Sequence, residues 1–474
     1  MHPALDWTLV VVSYLLTWLA IPHVLLSSKR PASTLAWIWA ILLFPFIGTA
    51  LYFAIGTDRF KRRRLRHVSG HALPAHDETR HAQAALAAAP PHTQALLRGL
   101  TAINRIPLAT TNCADLLVNA AEFYPRLLQA IRAAKHHVHV EFFIWRDDAR
   151  GREFREALTD AARRGVAVRL LLDQIGCFGI SHRFFRPLVE AGGHFSWFYS
   201  LPFGSHIRLA NLRNHRKLQI IDGRIAFVGG MNIGEEYARP PGDPHYWRDA
   251  QLELGGAVVT QLQEAFATDW LFATKERIDS PDYFPQHDDT PGDQLCQVIA
   301  GGPDLPREPI PKSLVALLNA AQKRVWISTG YFAPDLLLLA SMQVCAARGV
   351  EVRLLISEKS DHPFLVHVGR SYYEELLRFG VRVFEYSLGI NHAKSILLDD
   401  DWVMVGSANS DNRSMRLNFE LNVLVESPAA ARELERMMTE DFSVSREISL
   451  RGFLPRPLGR RLLEAALRPL APLL

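Results

Sequence analysis

The feature that most constrains this chain is a motif that occurs twice, once in each half of its 474 residues. Residues 214–232 read NHRKLQIIDGRIAFVGGMN, and residues 391–409 read NHAKSILLDDDWVMVGSAN. Each copy follows the pattern His-x-Lys-x4-Asp and continues into a pair of small residues and an asparagine. Two matched copies of so specific a pattern indicate an internal duplication, and therefore two similar folding units.

The surroundings of the motif also repeat. Residues 127–145 resemble residues 314–332, and residues 158–173 resemble residues 341–357; each stretch passes from a helical pattern to an apolar strand. Helices that alternate with strands at this spacing are typical of α/β packing, in which helices cover a sheet. The sequence therefore predicts an α/β fold of two sandwich domains, related by a pseudo-twofold axis and sharing one active site.

The predicted domain limits follow from these repeats. They are a membrane hairpin with a basic stop at 1–66, a connector at 67–105, a first domain at 106–280, and a second domain with a C-terminal helix at 281–474. The C-terminal segment LGRRLLEAALRPLAPLL predicts an amphipathic helix, which either contacts a membrane or packs on the catalytic body. Both interpretations stay open at this point.

The N-terminus differs in kind from the rest. Trp7–Leu26 and Leu35–Ile55 are apolar runs of 20 and 21 residues without a charged side chain, which predicts a hairpin of two membrane-crossing helices. Six Lys or Arg residues follow between Arg59 and Arg66. By the positive-inside rule this cluster stays in the cytoplasm, so we expect a multi-pass protein of the cell (inner) membrane with a cytoplasmic catalytic body. Beside a span, anionic lipid headgroups are a better partner for the cluster than nucleic acid.

Composition and other motifs exclude several classes. With 48% hydrophobic and 22% charged residues the chain is globular, and its net charge of +4 is small for the length and says little about partners. The four cysteines lie far apart and predict neither a disulfide framework nor a zinc site. P-loop, H-E-x-x-H and G-x-S-x-G motifs are absent from the sequence.

The paired motifs predict phosphoryl chemistry if the two halves face each other. One imidazole, of His215 or His392, attacks phosphorus, and the other protonates the leaving alkoxide and later takes a proton from the incoming hydroxyl. Donors around the phosphate oxygens are predicted to be Lys217, Asn232, Lys394, Ser407 and Asn409. With these groups no metal and no cofactor is required.

Carboxylates are expected to hold the imidazoles. Alignment of YWRDAQLEL (246–254) with LNFELNVLV (417–425) selects Asp249 and Glu420 as the groups that orient the two histidines. The motif aspartates, Asp222 and Asp399, precede turn sequences, and the residues alone favour a structural role for them.

The duplicated motif resembles that of the phospholipase D superfamily, and within it the chain is most similar to bacterial cardiolipin synthases. The stretches that carry this resemblance include FVGGMNIGEEY, WRDAQLEL, GSANSDNRSMRLNFELN and the N-terminal apolar hairpin. The resemblance implies condensation of two phosphatidylglycerol molecules into cardiolipin and glycerol through a phosphohistidine. It also implies His215 as nucleophile and His392 as acid and base, and it includes Asp222 and Asp399 among the catalytic residues.

Rival functions use the same residues. A membrane-anchored phospholipase D that hydrolyses or exchanges lipid headgroups is the main alternative; a nuclease is disfavoured by the apolar hairpin, and an inactive lipid-binding scaffold by the complete motifs. A mixed apolar and basic stretch at 202–215 is a candidate loop for contact with lipid. The sequence predicts no particular oligomeric state.

Overall fold

A computed structural model describes residues 17–27, 31–53, 86–87, 89–198, 212–287 and 292–473. The chain divides into two compact units, a small one mainly in residues 1–72 and a body of residues 73–200 and 212–474. The predicted basic cluster at 59–66 and most of the candidate lipid loop at 202–215 lie outside the described residues.

The N-terminal unit contains helical residues 17–25, α1 (Pro31–Leu43) and α2 (Pro45–Leu51). The apolar run at 35–55 is thus divided between two helices, because Pro45 lacks the N–H that would continue the hydrogen-bond ladder of α1. In the part of the chain that is described, no helix has the length and apolar character needed to traverse a bilayer. This differs from the predicted pair of continuous spans, of which the first, at 7–26, is described only from residue 17 onwards.

The body combines strands and helices in the order that the sequence repeats predict. Its strands are β1 (Ala109–Val118), β2 (His137–Phe142), β3 (Ala167–Leu172), β4 (His194–Trp197), β5 (Arg213–Asn214), β6 (Leu218–Ile221), β7 (Ile225–Gly229), β8 (Trp247–Arg248), β9 (Ala250–Gly256), β10 (Gln294–Gly301), β11 (Arg324–Ser328), β12 (Phe332–Ala333), β13 (Glu351–Ser357), β14 (Arg382–Tyr386), β15 (Ile390–Asn391), β16 (Ser395–Leu398), β17 (Trp402–Gly406), β18 (Ser410–Asp411), β19 (Asn418–Glu426) and β20 (Ser445–Ile448). Its helices are α3 (Pro91–Asn104), α4 (Asn119–Ala133), α5 (Ala149–Arg163), α6 (Arg186–Glu190), α7 (Glu235–Ala238), α8 (Ala257–Thr274), α9 (Pro309–Ala320), α10 (Leu336–Ala347), α11 (Pro363–Arg370), α12 (Tyr373–Arg378), α13 (Asn412–Arg416), α14 (Pro428–Ser443), α15 (Leu450–Phe453) and α16 (Leu458–Leu467), with 3₁₀ turns at Pro281–Tyr283 and Arg468–Leu473.

One sheet runs through both halves of the body. Its order is β20-β14-β13-β11-β16-β17-β19-β10-β1-β9-β7-β6-β2-β3-β4, and β5 pairs with β19. The halves join where β1 runs antiparallel to β10. Outward from this seam, β1-β9-β7-β6-β2-β3-β4 corresponds to β10-β19-β17-β16-β11-β13-β14, which is the order that a twofold axis produces. The mixed α/β class is confirmed, and the two halves share a sheet instead of forming separate sandwiches.

Two long helices lie over the seam. In α8 and α14 the side chains that enter a common apolar core are Val258, Val259, Leu262, Phe266, Leu434, Met437 and Met438. Both helices contact β1, the innermost strand of the first half. Each fully buried aliphatic side chain contributes about 1.5 to 3 kcal/mol, so this shared core holds the two halves as one rigid body.

Candidate active site

The two motifs meet because each half pairs with the other just before its histidine. β5 precedes His215 and runs parallel to the start of β19, while β15 precedes His392 and runs parallel to β8. The backbone N–H of His215 donates to the carbonyl oxygen of Phe419 at 2.9 Å, and that of His392 donates to Arg248 at 2.7 Å. Each motif is therefore fixed by the opposite half of the chain.

Each histidine is bonded to a carboxylate of the other half. His215 Nδ1 lies 2.9 Å from Glu420 Oε2, and His392 Nδ1 lies 2.7 Å from Asp249 Oδ2. An ionised carboxylate only accepts hydrogen bonds, so in each pair Nδ1 carries the proton. Nε2 of a neutral imidazole is then the atom left with a lone pair for chemistry. The alignment selected Asp249 and Glu420 but did not assign either of them to a particular histidine. In the structure each carboxylate pairs with the histidine of the opposite half.

The motif lysines are buried beside the histidines. Lys217 Nζ donates to the carbonyl oxygen of His215 at 2.7 Å, and Lys394 donates in the same way to His392. Burial lowers the pKa of Lys217 to about 7 and that of Lys394 to about 8, although Glu420 and Asp249 oppose the shift. Lys394 lowers the pKa of Lys217 further, because the two ammonium groups are close enough to repel each other. A phosphodiester anion placed there relieves that repulsion.

The carboxylate of Glu420 is ionised. Burial alone raises its pKa, but His215, Lys217 and the hydroxyl of Ser407 outweigh burial and leave the pKa lowered. Ser407 Oγ donates to Glu420 Oε2 at 2.5 Å, and Asn418 Nδ2 donates to Oε1 at 3.1 Å. Ser407 is fully buried, and its hydroxyl serves the carboxylate. This differs from its predicted role in holding phosphate.

The carboxylate of Asp249 has fewer donors. Burial raises its pKa to about 7 against the influence of Lys394. Gly230 occupies the position that corresponds to Ser407, and a Cβ atom built there would lie 2.3 Å from Asp249 Oδ1. A serine therefore cannot stand at 230 unless Asp249 moves. The difference between Gly-Gly and Gly-Ser in the two motifs thus decides whether a serine hydroxyl donates a hydrogen bond to the carboxylate: Glu420 has this donor and Asp249 does not.

The imidazoles themselves are held neutral. Burial lowers the pKa of His215 to about 4, although Glu420 acts in the opposite sense. Burial, then Lys394, Lys217 and His215, lower the pKa of His392 well below its ordinary value. Since the pKa of Asp249 is raised to about 7 and His392 is bonded to it, a proton is taken up by this pair near neutral pH. The Glu420–His215 pair takes up none until the pH is far lower.

The two motif asparagines differ in their contacts. Asn232 Oδ1 accepts from the Ile144 N–H and its Nδ2 donates to the Tyr237 hydroxyl, both at 2.9 Å. Asn409 is 3% exposed, and its Oδ1 has no hydrogen-bond partner among the described residues. Rotation of the amide group puts a donor in the same place, so Asn409 has an amide atom left for a further contact, whereas both amide atoms of Asn232 are bonded to the scaffold.

Asp222 and Asp399 lie outside this cluster. Asp222 follows β6, at the opposite end of that strand from His215, and accepts the N–H groups of Lys135, His136 and His137 at 2.7 to 2.9 Å. Asp399 accepts the N–H groups of Gln322, Lys323 and Arg324 at 2.7 to 3.1 Å. Both aspartates have positive φ, 54° and 52°, as turn residues do. These contacts favour the structural role that the residues alone had indicated for both aspartates over the catalytic role that the resemblance implies.

Asp399→Ala is expected to lower the free energy of unfolding by about 2 to 4 kcal/mol, because three backbone N–H groups lose an ionised acceptor. The activity of the remaining folded protein should be unchanged. Asp400→Ala is the control, since Asp400 is itself exposed and pairs with Lys323 and Arg324 at the surface; this substitution should cost less than about 1 kcal/mol. Thermal melting of the purified full chain measures both; equal stability of the two variants would contradict the structural role.

Two contributors near the histidines were missed from the sequence. The Tyr237 hydroxyl, bonded to Asn232, also lies 3.4 Å from His392 Nδ1. The guanidinium of Arg216 forms a buried ion pair with Asp269 and donates to the carbonyl oxygens of Glu420 and Gly301. Neither Tyr237 nor Arg216 has a counterpart in the second motif, where Ala393 replaces Arg216. The contrast between HRK and HAK was the available signal. Within the described residues, no cluster of three or more His, Cys, Asp or Glu side chains is arranged to hold a metal ion.

Comparison with known proteins identifies the family to which the chain belongs. The family model described as "Cardiolipin synthase, PLD-like domain" matches residues 127–270 and 314–442, more than half of the chain, and a "Phospholipase_D-nuclease N-terminal" model matches residues 15–56. The chain belongs to the cardiolipin synthase family of phospholipase D-like proteins. The two matched segments of the family domain each contain one motif and the carboxylate that is bonded to the histidine of the other segment.

Relatives within the family match nearly end to end. A cardiolipin synthase of Geobacillus kaustophilus is 35% identical over 456 residues, which cover 95% of this chain and 90% of the relative. Cardiolipin synthase A of Pseudomonas fluorescens is 35% identical over 449 residues, 93% of this chain and 92% of the relative. Phosphatidylserine synthase of Haemophilus influenzae, with a TM-score of 0.60 and 15% identity over 80% of this chain and 97% of that one, shares the fold.

Proposed function

We infer that the protein is a phosphatidyltransferase that condenses two phosphatidylglycerol molecules into cardiolipin and glycerol. The observation that carries this conclusion is the crossed arrangement of two neutral imidazoles, each bonded at Nδ1 to a carboxylate of the opposite half. Membership of the cardiolipin synthase family, with relatives of that name at 35% identity over most of the chain, supports the same substrates. One phosphodiester replaces another, so no energy source is required.

In the first step His215 Nε2 attacks the phosphorus of one phosphatidylglycerol. The P–N bond forms while the P–O bond to the headgroup glycerol breaks, and the Asp249–His392 pair delivers its proton to the departing alkoxide. Lys217, Lys394 and Asn409 face the non-bridging oxygens, whose charge they stabilise. Glycerol leaves, and a phosphatidyl-histidine remains.

In the second step the headgroup hydroxyl of another phosphatidylglycerol enters. The Asp249–His392 pair, now without its extra proton, takes the proton of that hydroxyl while the oxygen attacks phosphorus. The P–N bond breaks, cardiolipin is formed, and His215 returns to its neutral state. Both steps use the same two imidazoles, so the site is restored after each turnover.

The assignment of roles rests on the protonation of the two pairs. A nucleophile needs a free lone pair, and the Glu420–His215 pair provides one at neutral pH because His215 has a pKa of about 4. A general acid needs a proton, and the Asp249–His392 pair holds one because burial raises the pKa of Asp249 to about 7. These two properties favour His215 as nucleophile and His392 as acid and base.

We place the protein at the bacterial inner membrane, with an integral N-terminal anchor and a cytoplasmic body. Support comes from the apolar runs at 7–26 and 35–55, from the basic residues at 59–66 and from the family N-terminal model at 15–56. Anchoring beside lipid raises the effective concentration of a lipid hydroxyl over a soluble one.

The product spectrum tests the function. Purified protein is added to vesicles of phosphatidylglycerol, and the lipids are identified by mass. Tetra-acyl cardiolipin with one released glycerol per product molecule is the expected result. Phosphatidic acid as the main product would replace the proposal with hydrolysis by a phospholipase D.

Lys217→Met is expected to lower the rate of cardiolipin formation by about 100-fold or more, on the order of 3 kcal/mol, and Lys394→Met should act similarly. Each removes a buried ammonium group that faces the phosphate oxygens. Lys323→Met is the control, since Lys323 is exposed and pairs with Asp400 on the surface. Rates of either buried-lysine variant near those of the control would show that the lysines do not stabilise the transition state.

The pH profile of kcat/KM should rise as His215 loses its proton, near pH 4, and fall as the lysines and the Asp249–His392 pair lose theirs. The descending limb is expected to begin near pH 7 to 8, since the pKa values of Asp249 and Lys217 are about 7 and that of Lys394 is about 8. In the profile of kcat this limb should move to higher pH, because the bound phosphodiester anion holds the lysine protons. Initial rates in mixed micelles measure both, and an alkaline side without a decline would contradict the role of the lysine charges.

A further inference from the structure

Helix α16, near the C-terminus, has an unusual distribution of side chains. Its one fully buried residue is a carboxylate, Glu464, whereas Leu458, Leu462 and Leu463 are 68%, 60% and 45% exposed. Leu454, just before the helix, is 40% exposed and continues the row at a spacing of four residues. An amphipathic helix of a globular body normally buries its leucines and exposes its glutamate. In this helix the apolar row faces outward.

The buried glutamate explains why the helix lies this way round. Glu464 is 2% exposed and forms ion pairs with Arg456 at 3.1 Å and Arg460 at 3.4 Å. The guanidinium of Arg456 in turn lies over the ring of Phe453 and donates to its carbonyl oxygen at 2.7 Å. A buried carboxylate is costly unless it is paired, so these contacts fix one face of α16 inward and leave the leucines on the other.

Within residues 449–474 the exposed charge has one sign. Residues 449–474 contain five arginines and a single acidic residue, and that residue is the buried Glu464. Arg451, Arg460 and Arg461 are exposed beside the leucines. Exposed leucines flanked by arginines, without an exposed carboxylate in the same segment, are complementary to a surface that is apolar below and anionic at its rim.

We propose that residues 451–463, which we name the C-terminal surface, bind the interface of an anionic lipid leaflet. The leucine row enters the acyl boundary, and the three exposed arginines meet the phosphate headgroups. A second copy of the chain is a poorer occupant, because a twofold contact would bring the same arginines of both copies together. The proposal concerns a lipid contact of the body itself and is independent of the N-terminal region.

The position of this surface relates it to the active site. Helix α16 packs against α11, and Leu365, Val366 and Gly369 of α11 line a cleft together with Gly330. A Cβ built on Gly330 would lie 3.3 Å from Asn409 Oδ1 and 3.5 Å from His392 Cα. Helix α11 and this cleft therefore lie between α16 and the second histidine. Contact with a leaflet here orients the body so that headgroups have a short path to the site.

Fluorescence quenching of the full chain tests the proposal with a readout that does not depend on activity. A bimane label is attached at Leu462→Cys in a Cys113→Ser background, since Cys113 is the exposed cysteine and the other three are buried. The protein is reconstituted in phosphatidylglycerol vesicles that contain nitroxide-labelled lipid. Val189→Cys, 51% exposed on α6, is the matched control. We expect quenching at 462 to exceed that at 189 by about twofold or more, and to weaken when phosphatidylcholine replaces phosphatidylglycerol.

Equal quenching at the two positions would overturn the proposal. The proposal would also be overturned if a pyrene label at position 462 formed excimers that increase with protein concentration while lipid gave no quenching. That result would assign the surface to a second copy of the chain. A triple variant, Leu458→Ser, Leu462→Ser and Leu463→Ser, provides a functional reading: cardiolipin formation on vesicles should fall, whereas the rate on detergent-dispersed phosphatidylglycerol should not. Equal rates of this variant and the parent on vesicles would also count against a lipid contact.

Discussion

His215→Ala and His392→Ala are each expected to lower the rate of cardiolipin formation by at least about 10⁴-fold. In the proposed mechanism each substitution removes the Nε2 atom that either attacks phosphorus or moves the proton, and nothing else in the described site can replace it. The two losses should not add in the double variant, because the residues serve one reaction sequence. His194→Ala, on an exposed position of β4, is the control and should retain the parent rate.

A substrate with an acidic leaving group separates the two histidines. Phosphatidyl-p-nitrophenol needs no proton on its departing oxygen, so His392→Ala should still release one equivalent of nitrophenolate in a burst, while His215→Ala should release none. The phosphatidyl group that remains on the protein should be held by an acid-labile P–N bond, as in a phosphoramidate. A burst from His215→Ala and none from His392→Ala would reverse the roles; a burst from both would contradict covalent catalysis by either residue.

Glu420→Gln is expected to lower the rate by roughly 10³- to 10⁴-fold, as loss of the carboxylate does in other histidine-centred sites. The amide cannot stabilise the imidazolium, and its NH₂ group allows the wrong tautomer of His215. Asp249→Asn should act on His392 in the same way. It should also remove the proton uptake near pH 7, because the Asp249–His392 pair then has no acidic group of that pKa.

A matched control for these variants is Glu253→Gln. Glu253 lies on β9, the strand that also follows Asp249, but it pairs with Arg126 at 2.8 Å away from the histidines. Its substitution should leave the rate nearly unchanged. If Glu420→Gln were as active as this control, the bond at His215 Nδ1 would have no part in the reaction.

Sequence patterns selected the residues that meet in the site but did not predict which carboxylate pairs with which histidine. Spacing alone showed that His215 and Lys217 repeat as His392 and Lys394, and alignment of the two halves selected Asp249 and Glu420. Which carboxylate meets which histidine depends on pairs 143 and 205 residues apart in the chain, and no local pattern encodes them. The antiparallel seam of β1 and β10 decides that, and it also makes one sheet of two expected sandwiches.

Other differences have local physical causes. Ser407 was assigned to phosphate because it follows a glycine in the motif, yet a buried hydroxyl donates to the nearest unsatisfied carboxylate, here Glu420. The count of apolar residues at 35–55 overlooked Pro45, which divides the run into two helices. In α16 the hydrophobic periodicity predicted the helix, but the ion pairs of Glu464 decide which face is inward.

The crossed bonds between the halves have a consequence for incomplete chains. A fragment that ends before Glu420 contains His215 without its carboxylate partner, and a fragment that begins after Asp249 contains His392 without its own. Both crossed bonds can therefore form only after β19, the strand that carries Glu420, has been made. Each half expressed alone should be inactive, because it lacks the carboxylate that its histidine contacts. The two halves expressed together should recover activity by complementation, as the two subunits of a dimer with a shared active site would.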